Sequence, residues 1–153
     1  FKFINLNTFF NDFIKDYSGN KKNIKIETNI RNEAINVFVN EDKFIQVILN
    51  LIDNSVSLSS NNSEILITID IINAEIVQIK FYDQGKGIKI EHKDKIFERF
   101  YTDRENQNDQ HSGLGLSISK EIINSFSGTI ELTKSDKNLF RGACFIIKLP
   151  LKH

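Results

Sequence analysis

The stretch EILITIDIINAEIVQIKFYDQGKG, residues 64–87, decides the fold. Ile65, Ile67, Ile69 and Ile71 alternate with mostly polar neighbours, and after Asn73-Ala74-Glu75 the alternation resumes at Val77, Ile79 and Phe81. A period of two sends alternate side chains to one face of a sheet, so this is a β-hairpin with one buried face. The alternation stops at Asp83-Gln84-Gly85-Lys86-Gly87, where glycines break the strand.

Working outward, the period changes. Upstream, Phe44, Val47, Ile48, Leu51, Ser55 and Leu58 recur at helical spacing behind Asn40, a fitting N-cap, with Glu41 and Asp42 suited to the positive helix start. Before them, Ile24 and Ile26, then Ile35, Val37 and Val39, fit two short strands separated by a polar turn. Leu6, Phe9, Phe10, Phe13, Ile14 and Tyr17 mark a first amphipathic helix after the apolar opening Phe1 to Ile4, ended by Ser18-Gly19-Asn20. Downstream, a short helix is expected through Ile96 and Phe97, and residues 101 to 112 are polar and unpatterned, as in a mobile loop. Gly113-Leu114-Gly115 opens a third helix through Ile118, Ile122 and Phe126, and Ile130, Leu132, Ala143, Phe145, Ile147 and Leu149 form a closing hairpin. Hairpins interspersed with helices favour a two-layer α/β sandwich, a mixed and mostly antiparallel sheet with about three helices on one face, over a doubly wound fold.

The 153 residues suffice for one sizeable core, and 1–153 reads as a single domain. With 13 Phe and neither Trp nor Met, aromatic burial falls mainly on phenylalanine. Twenty basic residues balance twenty acidic ones, so no global field draws the chain to nucleic acid or an anionic membrane. The single Cys144 makes no intramolecular disulfide or zinc site and reads as core. No apolar run approaches the roughly 20 residues that span a bilayer. The chain opens at Phe1 without Met, as a piece of a longer parent would.

Three constellations carry chemistry. In Asn50-Leu51-Ile52-Asp53-Asn54 the two asparagines, four apart, share a helix face, with Asp53 off it. Their amide oxygens are hard ligands suited to Mg²⁺; taken alone the spacing is a weak signal, and two solvated polar residues on a helix is the reading it favours. In Asp83-Gln84-Gly85-Lys86-Gly87-Ile88 a carboxylate at a strand end precedes glycines that let a ligand approach the backbone. A buried Asp there accepts a hydrogen bond from an adenine amino group, unless the glycines serve only a turn at positive φ. Ser112-Gly113-Leu114-Gly115-Leu116-Ser117-Ile118 is a glycine-rich helix start whose N–H groups suit phosphate oxygens, and it also suits a lid hinge. Between them, the aromatic residues of Ile96-Phe97-Glu98-Arg99-Phe100-Tyr101 anchor the loop root or simply pack in the core.

In this order the motifs resemble the N, G1, F and G2 boxes of the ATP-binding catalytic domain of bacterial sensor histidine kinases, within the gyrase, Hsp90, kinase and MutL superfamily with its Bergerat fold. The resemblance runs from about Phe1 to Pro150 and includes Gly128-Thr129-Ile130 and Arg141-Gly142-Ala143 in the closing strands. Glu98 to Arg104 and Ser112 to Ser119 look most like the ChvG-type envelope kinases of alphaproteobacteria. The resemblance implies that Asn54 coordinates Mg²⁺ and Asn50 supports the phosphate and metal site. It likewise implies that Asp83 reads adenine, that Gly85 and Gly87 shape its pocket, and that Gly113, Leu114 and Gly115 lie beside the phosphates of ATP. The chain departs from the family at Ser57 and Leu58, where many members carry Lys and Tyr, at His111 in place of a glycine, and at Thr102 in place of an arginine that Arg99 or Arg104 replaces.

None of His92, His111 and His153 resembles a phosphoacceptor. The resemblance therefore implies a domain that passes the γ-phosphate of Mg-ATP to a histidine on a separate dimerization domain and thence, indirectly, to a response regulator. The domain would be cytoplasmic and monomeric, the parent a homodimer in the inner membrane. Two rivals share the fold: an anti-sigma-factor-type serine kinase and a non-catalytic nucleotide-binding module.

Overall fold

The computed structural model describes residues 1–17, 22–30, 34–101 and 114–152. Its elements follow the expected order: β1 (Lys2–Asn5), α1 (Leu6–Asp16), β2 (Lys25–Ile30), β3 (Asn36–Val39), α2 (Glu41–Leu58), β4 (Glu64–Asn73), β5 (Ile76–Asp83), two 3₁₀ turns (Ile90–His92 and Lys95–Phe97), α3 (Gly115–Ser125), β6 (Thr129–Thr133) and β7 (Cys144–Pro150). Five strands form a sheet in the order β2-β4-β5-β7-β6, antiparallel except for the parallel β2–β4 pair. The two-layer sandwich with a mixed sheet is therefore present.

The alternation of the central hairpin works as the period demands. Ile65 lies opposite Asp83, Ile67 opposite Phe81 and Ile69 opposite Ile79, so the inward residues of β4 and β5 share a face. With Phe145, Ile147 and Leu149 of β7 they join Phe10, Phe44, Ile48, Leu51 and Ile123 of the helices in one buried core. Burying such a side chain contributes roughly 1.5–3 kcal/mol. The outward residues Tyr82, Cys144 and Ile146 pack with Phe140 as a separate cluster on the other face. Burial there pushes the Cys144 thiol up to about 12, so the thiol stays protonated.

Strand partnership departs from sequence neighbourhood among the first strands. β2 and β3 do not pair: β2 runs parallel to β4, while β3 takes the apolar opening as β1, with Ile4 opposite Val37. In this arrangement Ile4, Val37 and Val39 all reach the common core.

Helix α2 carries the first candidate residues. Asn40 caps it, its side-chain oxygen accepting from the Lys43 N–H at 3.1 Å. Its last turn contains no basic residue. The Lys22 ammonium supplies that charge, donating to the carbonyls of Val56 (2.8 Å), Ser57 (3.1 Å) and Ser59 (2.8 Å). A cation on the free carbonyls of a helix end satisfies both their hydrogen bonding and the helix dipole.

Candidate functional site

Asp83 is the last residue of β5, points inward and is fully buried. Its Oδ1 accepts two backbone N–H bonds, from Gly85 at 3.0 Å and Ala143 at 3.0 Å. Its Oδ2 is buried without a hydrogen bond to a described residue. Ser55 of α2 approaches the carboxylate and favours its charged form without reaching hydrogen-bonding geometry at Oδ2. Burial dominates over Gly85, Ser55 and Ala143 and raises the carboxyl above its ordinary range. The result is one oxygen anchored by two N–H groups and one buried oxygen without a hydrogen bond to a described residue.

Glycines make room for this carboxylate. A Cβ on Gly142 would stand 1.9 Å from Asp83 Oδ1 and 2.7 Å from the Gly85 nitrogen, and one on Gly85 would stand 2.6 Å from the Leu58 carbonyl oxygen at the end of α2. Gly87 has φ +76°, a conformation that L side chains rarely adopt. The turn at 83–87 thus uses Gly85 for close approach and Gly87 for its backbone. In the sequence Gly142 is legible only as part of a closing-strand pattern. Nothing local in the sequence says that Arg141-Gly142-Ala143 packs on a carboxylate 60 residues earlier.

On α2, Asn54 and Ser55 are buried while Asp53 is exposed, as the face argument requires. Asn50 does more than share that face. Its Nδ2 donates to the Gly115 carbonyl at 3.2 Å and to Ser119 Oγ at 3.1 Å, tying α2 to the first turn of α3. Ser55, legible in the sequence only as part of the α2 face, and Ser119, fully buried, carry no local signal of a site role, because serine on a helix has no distinguishing signature.

Helix α3 begins at Gly115 after Leu114, and among the described residues no side chain caps it. The start of α3 therefore lies beside Asn50, with Gly115 within 4 Å of the Asn50 amide. Gly113, Arg104, His111 and the loop expected over 101–112 fall, from residue 102 on, outside the described residues. Phe97 is buried against Phe145, whereas Phe100 is 71% exposed with φ 64°, so the two aromatic residues do not share a role in the core. Arg99 donates to Glu121 at 3.0 Å in an exposed pair. The structure brings Asn50, Asn54 and Asp83 to one side of the sandwich, where α2 connects the Asp83 turn to the start of α3.

A helix-covered sheet with an inward carboxylate at a strand end, glycines closing on it, and a helix start beside an amide-bearing helix is the plan of an ATP-binding module. The chain belongs to the histidine kinase-, DNA gyrase B- and HSP90-like ATPase family, whose profile matches residues 39–153.

The sensor protein SrrB of Staphylococcus aureus (strain NCTC 8325 / PS 47) is 43% identical over 112 residues, covering 71% of this chain and 18% of that protein. The sensor protein ChvG of Rhizobium meliloti (strain 1021) is 39% identical over 110 residues, covering 69% of this chain and 19% of that protein. ChvG is thus a relative, but SrrB is at least as similar, so the ChvG-type grouping holds only in part. Among solved structures, the catalytic domain of histidine kinase ThkA superposes with a TM-score of 0.74 at 28% identity over 98% of this chain and 96% of that one. The chain is a histidine kinase catalytic domain by this kinship. It spans about a third or less of the length of the curated relatives it matches.

Proposed function

We propose that this domain binds Mg-ATP and presents the γ-phosphate to a histidine on a separate dimerization domain of its parent kinase, from which a response regulator is phosphorylated. The observation that carries the reading is the Asp83 carboxylate, anchored through Oδ1 by two N–H groups and offering a buried Oδ2 to a donor such as the adenine amine. Gly85 and Gly87 shape that pocket; Leu114 and Gly115 at the start of α3, with Gly113 before them in the sequence, take the phosphates.

Among the described residues no group of three or more His, Cys, Asp or Glu is gathered to hold a metal. A metal at this site would lean on amide and phosphate oxygens, a donor set that fits Mg²⁺ with Asn54 as protein ligand. Bound there, the ion would neutralise phosphate charge during transfer. Asn50, whose Nδ2 is engaged by α3, supports the same end of α2, and as an amide it cannot serve as a general base for hydrolysis. For Arg99 to meet the γ-phosphate it has to leave Glu121; otherwise Arg104 takes that role.

The solved complex of ThkA with the response regulator protein TrrA, matched at 28% identity over 99% of this chain, supports the assignment of partners. We read residues 1–153 as one domain because a single core runs from Ile4 to Leu149. Among the described residues no helix is long and apolar enough to cross a membrane, and we place the domain on the cytoplasmic side of a homodimeric, inner-membrane parent. The isolated domain is a monomer in this reading.

Mixed with Mg-ATP, the domain alone should carry no histidine phosphate, yet should label a separately supplied dimerization domain of its parent, at a rate reduced by the loss of tethering. Acid-labile phosphate on His92 or His111 would overturn the division of roles. Acid-stable label on a partner serine would point to the anti-sigma type of kinase, and absence of any transfer with intact ATP binding to a non-catalytic module.

A further inference from the structure

The connection from β6 to β7 occupies residues 134–143, far longer than the 2–5 residues usual in a hairpin, and its placement rests on contacts with β5. One end of it holds Asp83. Besides the Ala143 N–H on Oδ1, the Gly142 N–H donates to the Asp83 carbonyl at 3.0 Å, and the Asp83 N–H donates to the Ala143 carbonyl at 3.2 Å. The middle of it is held on the opposite face of the sheet by Tyr82. The phenol, 1% exposed, donates to Asp136 Oδ1 at 2.8 Å, and the Lys137 ammonium lies 5.5 Å from the centre of its ring. Phe140 packs against the same ring at 6.3 Å, and Gln84 Nε2 donates to the Leu139 carbonyl at 3.0 Å.

Tyr82 and Asp83 are consecutive in a strand and therefore project to opposite faces. One loop grips both. Its turn at Lys137–Phe140 is braced from within, by the Phe140 N–H on the Lys137 carbonyl (3.1 Å), the Lys137 N–H on Ser135 Oγ (3.1 Å) and Arg141 on Asn138 Oδ1 (3.1 Å), so a shift of Asp136 and Lys137 on the outer face is passed along the loop to Gly142 and Ala143. There, little slack is available: the space around Gly142 is too tight to admit a methyl group.

We propose that the Tyr82–Asp136 hydrogen bond is a latch that positions the Asp83 carboxylate for reading the nucleotide base, making Tyr82 and Asp136 positioning residues of the ATP site although they lie on the other face of the sheet. The inference rests on the assignment of Asp83 to adenine. The phenol is buried and Asp136 is its hydrogen-bonding partner, so loss of that bond leaves a buried donor that must move or stay unsatisfied. Tyr82→Phe keeps the ring, its packing on Phe140 and its contact with Lys137, and removes the latch alone. Asp136→Asn weakens it from the loop side and also ends the ion pair with Lys80, 3.7 Å from Asp136 Oδ2.

The test is calorimetric titration of the domain with ATP and with inosine triphosphate, whose base carries a carbonyl in place of the amine. Wild type is expected to prefer ATP; equal affinities would refute the adenine assignment itself, separately from the latch. Given that preference, Tyr82→Phe and Asp136→Asn should each lower ATP affinity about fivefold, leave inosine triphosphate affinity unchanged, and together lose less than the product of the two losses. Val39→Ala, in the core away from this loop, provides a variant that lowers melting temperature without changing the ratio of the two affinities. An unchanged ratio in both latch variants, whether or not they melt earlier, would overturn the proposal.

Discussion

Asp83→Asn separates stability from recognition at one atom. The amide is nearly isosteric, and its Oδ1 can keep the N–H bonds from Gly85 and Ala143 that now measure 3.0 Å each. What changes is the second position, where the Oδ2 acceptor becomes an NH₂ donor facing the adenine amine. A hydrogen bond to a charged group contributes about 1.5–3 kcal/mol, and two donors face to face leave one unsatisfied. ATP binding should therefore weaken at least tenfold, by about 1.4 kcal/mol or more. The free domain should respond in the opposite sense. Burial holds the Asp83 carboxyl above its ordinary range, so in the folded chain it keeps its proton at pH values where the unfolded chain has lost it. The unfolded state then binds fewer protons, and stability falls as pH rises from the ordinary carboxylate range through the raised value. Asp83→Asn removes that loss, and chemical denaturation should find it as stable as wild type or more so at neutral pH. ATP affinity of wild type should decline as pH falls through the raised value, relative to an Asp83→Asn reference titrated in parallel. An Asp83→Asn domain that binds ATP within twofold of wild type, or wild type that binds GTP as tightly as ATP, would refute the reasoning.

Gly142→Ala should act on the same carboxylate from the far side, since its Cβ would fall 1.9 Å from Asp83 Oδ1; overpacking costs about 1–3 kcal/mol, and calorimetry should show ATP affinity lost along with stability. Gly115→Ala is the contrasting case, because its Cβ would meet the Asn50 amide carbon at an ordinary 3.7 Å, and its melting temperature should be nearly unchanged. Asn54→Ala should abolish Mg-ATP-dependent phosphotransfer while keeping a cooperative melt, the loss of one hard ligand to a phosphate-bound ion costing on the order of several kcal/mol; retained transfer with unchanged Mg²⁺ dependence would remove Asn54 from the site. Lys22→Met should destabilise the domain by about 1–3 kcal/mol through the bared carbonyls of Val56, Ser57 and Ser59, and a denaturation midpoint equal to wild type would deny the ammonium its role as a cap.

The sequence by itself determined what depends on local period and local chemistry. The alternation of residues 65–81 became β4 and β5 in one register, Asn40 became the cap of α2, and the 83–87 glycines became a turn with Gly87 at positive φ. Such features follow from which residues stand one, two, three or four apart, and these spacings are read directly from the chain. Partnership across long separations was decided by the tertiary structure. β2 left its neighbour β3 for β4, because edge pairing is set by which faces can be buried together and the short polar turn between two strands does not fix it. Asn50, legible as a metal-side amide, turned out also to hold α3 through Gly115 and Ser119 at separations of 65 and 69 residues. The orientation of Asp83 is least legible of all: besides the local Gly85 N–H, its second anchoring donor comes from Ala143 and its space from Gly142, and a backbone N–H or an absent Cβ has no signature in sequence until the fold brings it within 3 Å of its partner.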